Sequence, residues 1–390
     1  MRKNYCRYGR IRYYKRRTYH RGSQLQKSEV IMNTYYDDIY LTLSLCMMPG
    51  RDILTIIDKL KKADINPSNY KDIARDFLKA NQREAFFRIY ERLDDEREKL
   101  YKSGIHVVNY DSYDYPAKLI NIPDPPAVLY IKGNYDPKQI STACISIVGA
   151  RSCSEYGSNM SYNLARELSL GGITIISGMA RGIDSEAHKG ALSADGTTIA
   201  ILGCGADICY PRENISIYNS ILKKGAIISE LPPNTPPISR NFPLRNRIIS
   251  GLCDALIIVE ARDKSGSLIT VDQALEQGKD IYAVPGRIGD PLSYGCNRLI
   301  KMGAGMITGI GDFVEEILGD VYKANSPLTD LTNHERLVYD HIDSYPTALE
   351  DIYKNTSSDM EFIDVLQTLW DLQDKKLVKE CSQNYYVRVI

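Results

Sequence analysis

The sequence lacks the short motifs that mark many nucleotide, metal and disulfide sites. It contains no GxxxxGK run followed by Ser or Thr, and no GxGxxG run follows the first strand of its α/β region. A Walker-type ATPase and a dinucleotide-dependent dehydrogenase are therefore not expected. The nine cysteines include no CxxC pair, and neither HxxxH nor HExxH occurs. With an odd cysteine count and no secretory signal, we expect reduced thiols and no bound metal or other cofactor.

Long apolar runs are also missing. The longest, around Ala255 to Val259, falls far short of the roughly 18 residues that a membrane-spanning helix needs. The 390 residues are 43% hydrophobic and 25% charged, as in ordinary globular proteins, and their number allows two or three domains.

Charge of one sign is missing from the first 28 residues, which hold ten Lys or Arg and no Asp or Glu. Residues 29–390 consequently carry 39 bases against 49 acids, so an acidic body would need a local basic pocket to bind nucleic acid. Three interpretations of the basic head, residues 1–31, stay open. It is a nucleic-acid arm in which Arg and Tyr grip phosphates and bases, a non-native product of translation upstream of Met32, or a tail without a role.

The rest of the chain divides into three predicted domains. Residues 32–104 have helical apolar spacing and the outline of a small helix-hairpin-helix or SAM-like domain. In residues 105–322, short apolar strands alternate with helices, which predicts an α/β domain whose mostly parallel, doubly wound sheet is covered on both faces. Residues 328–390 predict three helices and a terminal hairpin, the outline of a winged helix.

Glycine-containing loops follow five of the predicted strands, at residues 149–152, 177–184, 203–205, 265–267 and 285–286. The carboxyl ends of parallel strands lie at one sheet edge, where helix N-termini offer unpaired N–H groups. We therefore expect a phosphate-binding surface at this edge, the alternative being that the glycines serve only tight turns.

A basic and aromatic cluster follows in SRNFPLRNRIIS, with Arg240, Arg245 and Arg247 around Phe242. Arginine pairs with phosphate in a bidentate manner, and an aromatic ring stacks on an unpaired base, so the cluster predicts single-stranded nucleic acid as the ligand. The alternative is a core Phe242 with the arginines in surface ion pairs.

Asp184 and His188 lie one helical turn apart, with Ser185 between them. Such neighbours rarely align as a catalytic triad. We expect Asp184 to cap the helix N-terminus and His188 to be packed in the protein. A nucleotide hydrolase that uses Asp184 or Glu260 is the rival interpretation, although KSGSLITVDQAL offers Asp272 and no following glutamate of a hydrolase loop.

The runs SIVGARSCSEYG, SGMARGIDSEAHKGAL, NFPLRNRIISGL and VEARDKSGSLITVDQAL together resemble the DNA-processing protein A family, known as DprA or Smf, in order and spacing over about residues 105–320. The resemblance implies an extended Rossmann-like domain in a cytoplasmic bacterial protein. It also implies a homodimer without a catalytic step that binds single-stranded DNA and helps load the RecA recombinase during natural transformation. The DNA-binding positions that it implies are Arg151, Ser177, Gly178, Arg181, Phe242, Arg245, Asn246, Arg247, Ser265 and Gly266.

The C-terminal unit has the wrong charge for a DNA reader. Residues 328–390 contain twelve Asp or Glu against six Lys or Arg. Anionic side chains on a recognition helix would repel the phosphates, so we expect this unit to contact protein instead.

Overall fold

The computed structural model describes residues 36–63, 70–141, 143–318, 331–343, 346–375 and 377–388. The predicted basic head and the predicted boundary around residues 323–327 lie outside these ranges. Along the described chain, a group of helices is followed by an α/β sheet and then by a small helical unit with its own sheet. No helix in these ranges is long and apolar enough to cross a membrane.

The helices are labelled in chain order. They are α1 (36–45), α2 (Gly50–Lys62), α3 (Tyr70–Phe77), α4 (Ala80–Tyr90), α5 (Leu93–Lys102), α6 (Ala117–Ile120), α7 (Pro137–Ser141), α8 (Glu155–Leu170), α9 (Ile183–Ser193), α10 (Ile215–Lys224), α11 (Asn241–Leu252), α12 (Gly266–Glu276), α13 (Tyr294–Lys301), α14 (Ile310–Leu318), α15 (Asn333–Asp340), α16 (Leu349–Thr356) and α17 (Phe362–Asp374). A 3-10 turn at Arg212–Asn214 precedes α10.

The strands are β1 (Ile105–Asn109), β2 (Val128–Gly133), β3 (Cys144–Val148), β4 (Thr174–Ser177), β5 (Thr198–Leu202), β6 (Ala226–Ser229), β7 (Ala255–Ile258), β8 (Asp280–Ala283), β9 (Gly305–Met306), β10 (Thr347–Ala348), β11 (Val378–Ser382) and β12 (Tyr385–Arg388). Within the described residues, β1 to β9 form one sheet in the order β1-β2-β6-β5-β4-β3-β7-β8-β9. The pairs from β6 to β9 are parallel, and β1 and β2 join one edge antiparallel. The predicted mostly parallel, Rossmann-like sheet is confirmed.

The strands of the sheet centre are apolar on both faces because both faces are covered. Along β7, Leu256 and Ile258 pack in a cluster with α11 and α12, whereas Ile257 packs with α8, α9 and α14 on the other side. This alternation follows from the two-residue period of a strand. The N-terminal helices pack in a third cluster, which includes Tyr130 of β2 and Ile227 of β6.

The C-terminal unit has its own core, formed by α15, α16, α17 and a sheet of the order β10-β12-β11 within the described residues. Thr332 and Glu335 form a capping box at the start of α15, in which Thr332 Oγ1 accepts the Glu335 N–H at 3.2 Å and the Glu335 carboxylate accepts the Thr332 N–H at 2.8 Å. The hairpin β11–β12 follows the predicted pattern, whereas the short β10 was not predicted. The winged-helix assignment remains a prediction.

Candidate nucleic-acid interface

The order in which strands are added to the sheet changes side between β3 and β7. From β3 it proceeds through β4 and β5 to β6 on one side, and then returns to place β7, β8 and β9 on the other. The loops that follow β3 and β7 therefore lead away in opposite directions and leave a crevice at the carboxyl ends of these strands. Open α/β sheets bind their ligands at such a switch point.

A cavity of about 550 Å³ lies at this crevice. It is lined by the loops after β3 and β7 and by the first turns of α11 and α12. The lining residues include Gly149, Arg151, Ser152, Ala180, Asp184, Tyr210, Ser239, Phe242, Arg245, Asn246, Arg262, Lys264, Ser265, Gly266 and Ser267. Six of the ten predicted site residues are among them: Arg151, Phe242, Arg245, Asn246, Ser265 and Gly266.

Arg245 forms the floor of the cavity. Its side chain is buried, and Nη1 donates to the carbonyl oxygens of Gly178, at 2.7 Å, and of Ile201. Burial lowers the pKa of Arg245 to about 10, an effect that the neighbouring Asp184 carboxylate opposes. The guanidinium is charged at neutral pH, but two of its hydrogen bonds already go to the backbone.

The cavity wall carries two aromatic rings. Phe242 is half-buried, and its ring centroid lies 5.6 Å from that of Tyr210, with 36° between the ring planes. The guanidinium carbons of Arg151 and Arg245 lie 5.5 and 6.0 Å from the Phe242 centroid. Tyr210 is 42% exposed and extends the aromatic surface beside Phe242.

Arg247 lies elsewhere, which differs from the sequence-based expectation. It is buried between two carboxylates: Nη2 donates to Glu230 at 2.7 Å and Nε donates to Asp124 at 3.1 Å. The run NFPLRNR is the start of α11, and Pro243 is tolerated in this first turn because it lacks only an N–H that the helix would not pair. Residues two apart on a helix point in different directions, so Arg245 and Arg247 face different partners.

Three other predicted residues also lie outside the cavity lining. The Ser177 hydroxyl is fully buried and donates to the Ile147 carbonyl at 2.6 Å. The Gly178 carbonyl accepts from Arg245, as described above. Arg181 is exposed and forms a two-pronged ion pair with Glu213, in which Nη2 donates at 2.8 Å.

The loop after β7 supplies the opposite wall. Ser265 caps α12, since its hydroxyl accepts the Ser267 N–H at 3.4 Å, and the space around Gly266 is open. The exposed side chains of Arg262 and Lys264 line the cavity beside this helix start. In the described part of the chain neither cation pairs with a carboxylate, and the same holds for Arg151. A helix N-terminus that shares a cavity with cations lacking a carboxylate partner favours an anionic ligand.

The acidic side chains near the cavity have structural partners. Glu260 accepts the backbone N–H of Ser154 at 2.9 Å and the Ser154 hydroxyl, which fixes the start of α8. Asp184 is buried, and desolvation raises its carboxyl pKa, an effect opposed by Arg245. The prediction that Asp184 caps the helix is wrong, since Gly182 is the N-cap of α9. Asp184 lies in the first turn, where its carboxylate accepts the Ala180 N–H at 3.3 Å.

His188 is packed. It is fully buried, and its Nδ1 lies 2.7 Å from the Thr198 hydroxyl. Burial lowers the pKa of His188 to about 3, so the imidazole is neutral at physiological pH.

Sequence reasoning missed Tyr210, Arg262 and Lys264. Lys264 immediately precedes the SGS run and Arg262 lies two residues before it, so basic residues beside this strand-end loop were the available signal. No sequence pattern indicated Tyr210. It lies in the loop after β5, and this loop reaches the cavity only because β5 packs beside β4.

Comparisons with known proteins identify the family of the chain. The profile of the family described as DNA recombination-mediator protein A matches residues 106–318. The DNA processing protein DprA of Bacillus subtilis is 38% identical over 290 residues, which cover 72% of this chain and 96% of that protein.

Two solved structures are similar as well. The Streptococcus pneumoniae DNA processing protein A superposes with a TM-score of 0.62 at 34% identity, over 72% of this chain and 97% of that one. For the Helicobacter pylori protein, described for its single-stranded DNA binding mode, the TM-score is 0.51 at 33% identity, over 56% and 98%. The chain therefore belongs to the DNA-processing protein A family of DNA recombination mediators.

Proposed function

We propose that the cavity between β3 and β7 binds single-stranded DNA. The observation that carries this proposal is that Arg151, Arg262 and Lys264, which have no described carboxylate partner, line the same cavity as the half-buried ring of Phe242, with Arg151 lying against that ring. Phosphates bind the three cations and the N–H groups that begin α12, and a base stacks on the aromatic surface. The relative from Helicobacter pylori is described for a single-stranded DNA binding mode, which agrees with this assignment.

The ten residues predicted from the sequence take different parts in this proposal. Arg151, Phe242, Asn246, Ser265 and Gly266 contact the DNA strand. Arg245 shapes the floor beneath it and contributes positive charge, and Ser177 and Gly178 hold that floor. Arg181 and Arg247 are neutralised by Glu213 and by the pair Glu230 and Asp124, so we assign them a supporting rather than a contacting role.

We propose that the protein acts without a catalytic step. The two carboxylates that a hydrolase would need, Asp184 and Glu260, are used to hold the β4–α9 turn and the start of α8. The nucleotide-hydrolase alternative requires one of them to face the ligand with a reactive water.

The cellular setting is part of the same proposal. We infer a cytoplasmic protein that forms a homodimer and helps load the RecA recombinase on incoming DNA during natural transformation. The family relationship supports this role, and the free thiols of the described cysteines agree with a reducing compartment. We also propose the division into domains at residues 32–104, 105–322 and 328–390, with DNA binding in the second.

The test is a competition between labelled oligo-dT and duplex DNA at two salt concentrations. We expect retention of the oligo-dT, little displacement by duplex, and weaker binding at the higher salt concentration. In parallel, release of base from AMP is measured. Hydrolysis of AMP together with weak oligo-dT binding would favour the hydrolase instead.

A further inference from the structure

The longest helix of the C-terminal unit, α17, is covered on one side only by the residues that the structure describes. Val365, Leu369 and Leu372 are buried and belong to the core of this unit. The side of α17 opposite these residues faces away from that core.

Two large apolar side chains lie on the opposite side of α17. Ile363, Gln367, Trp370 and Asp374 follow one another at spacings of four, three and four residues, which places them in one row along the helix. All four are exposed, and the exposed fractions are 71% for Ile363 and 60% for Trp370. We call this row the α17 seam. Tryptophan at the centre of such a row is typical of residues that dominate protein–protein binding energy.

Acidic side chains border the seam. Asp364 and Asp371 each follow a seam residue by one position and are exposed, as is Asp374 at its end. Among the described residues, no Lys or Arg forms an ion pair with any of these three carboxylates. Lys375, the cation next to them in sequence, pairs with Glu335 at 2.7 Å.

The negative charge of this border distinguishes between the kinds of partner that could bind an exposed apolar row. A second copy of the seam would place aspartates against aspartates. DNA and an anionic membrane surface would be repelled in the same way. A cationic helix with apolar residues at three- and four-residue spacing satisfies both parts of the seam, since its apolar row covers Ile363 and Trp370 while its Lys or Arg side chains meet the flanking carboxylates.

We propose that the α17 seam is a docking surface for a cationic amphipathic helix of another protein. The seam is separate from the DNA cavity, because no residue of α17 lines that cavity. Binding of the helix is therefore compatible with binding of a single strand.

The protein carries its own probe for this interaction, since Trp370 is its single tryptophan. The full chain is titrated with a synthetic peptide in which Leu recurs at helical spacing and Lys fills the other positions. We expect the Trp370 emission to shift to shorter wavelength as the indole leaves water. A Lys and Ser peptide of equal charge should bind more weakly, and saturation with oligo-dT should leave peptide binding unchanged.

Matched variants separate the seam from general attraction to an acidic protein. Ile363→Ser should weaken peptide binding by about tenfold, whereas Ile288→Ser, at a residue that is 100% exposed, should not. The double change Asp364→Asn with Asp371→Asn should weaken binding and flatten its salt dependence. The same change of charge on α5, at Asp94 and Asp95, should leave both within about twofold.

Three results would overturn the proposal. One is an unchanged Trp370 emission at saturating peptide, and another is an equal loss of binding in the seam variants and their controls. The third is a change of oligomeric state on Ile363→Ser without any peptide binding, since the seam would then belong to an interface between copies of this chain.

Discussion

Arg245 Nη1 lies 2.7 Å from the Gly178 carbonyl oxygen, and a Cβ atom built on Gly178 would lie 2.7 Å from that same nitrogen. The guanidinium thus rests directly on a position where any Cβ atom would force it to shift. Asp184 Oδ2 is equally close to the hypothetical Cβ. The buried charges beneath the cavity are packed against this glycine as tightly as side chains in a core.

Gly178→Ala should therefore displace Arg245 and Asp184. We expect a loss of about 1–3 kcal/mol in the free energy of unfolding, as for overpacked cores, together with weaker oligo-dT binding. The measurements are urea unfolding and filter binding. Gly311→Ala is the control, because a Cβ there meets nothing within 4 Å, and it should leave both unchanged or raise stability slightly. Full stability of Gly178→Ala would contradict the described floor.

Arg247→Ala and Arg151→Ala should separate stability from DNA affinity. Removal of Arg247 leaves Glu230 and Asp124 without their shared partner, and we expect a loss of about 1–3 kcal/mol, below the range for fully buried pairs because both carboxylates are partly exposed. Removal of Arg151 should leave stability unchanged and reduce the salt slope of oligo-dT binding by about 0.7. If Arg247→Ala reduced the salt slope of oligo-dT binding without changing stability, Arg247 would be a DNA-binding residue, as the sequence predicted.

Phe242 and Tyr210, the two aromatic residues of the cavity, should stack on neighbouring bases of the bound DNA, and each should contribute to its affinity. Phe242→Ala should cost about 1–3 kcal/mol of oligo-dT binding, and Tyr210→Ala a similar or smaller amount. An oligonucleotide with 2-aminopurine at successive positions reports which base is stacked. Tyr113→Ala is the control, since Tyr113 is 84% exposed and does not line the cavity. Loss of thermal stability without loss of affinity in Phe242→Ala would indicate a core residue.

His188 should make stability depend on pH in the acid range. Its pKa falls from 6.5 to about 3 in the folded protein, mainly because of burial. Since only the unfolded chain takes up this proton between these values, the stabilisation is complete above pH 6.5 and decreases by about 1.4 kcal/mol per pH unit below it. Asp184, whose pKa is raised by burial, contributes with the opposite sign. The wild type and His188→Gln are therefore unfolded in urea from pH 7.5 to 5, and the difference between them should shrink as the pH falls.

Truncation after Pro327 should leave oligo-dT affinity within about threefold, or roughly 0.65 kcal/mol. The physical reason is the acidic charge of the C-terminal unit, none of whose described residues lines the cavity. Filter binding of the truncated and full chains makes the comparison, with circular dichroism as the control for folding. If a folded truncated protein lost most of its affinity, the C-terminal unit would count as a second DNA site.

The sequence predicted the sheet better than the site. The short apolar strands expected to alternate with helices are present as β3 to β9, because near-continuous runs such as Ala255–Ile258 occur where both strand faces are buried. The edge at which the loops meet follows from the parallel arrangement alone.

Two features of the site depended on tertiary packing and could not be predicted. Arg247 finds its partners at Asp124 and Glu230, which are far from it in sequence, and local spacing gives no sign of them. Tyr210 and Phe242 are likewise distant in sequence, and only tertiary packing brings their rings together at the sheet edge. A list of arginines near a strand end therefore does not distinguish a ligand-binding cation from a buried ion pair.

The pairing of β3 with β7 determines when, during synthesis of the protein, the cavity can form. Ile145 lies beside Ala255, so the two strands that border the cavity are separated by the whole of β4, β5 and β6 in the chain. A nascent chain on the ribosome has neither the second wall nor the α12 N-terminus until the region beyond Gly266 has emerged. Because such non-local pairing forms late, the growing polypeptide acquires its affinity for DNA only after most of the sheet has been translated.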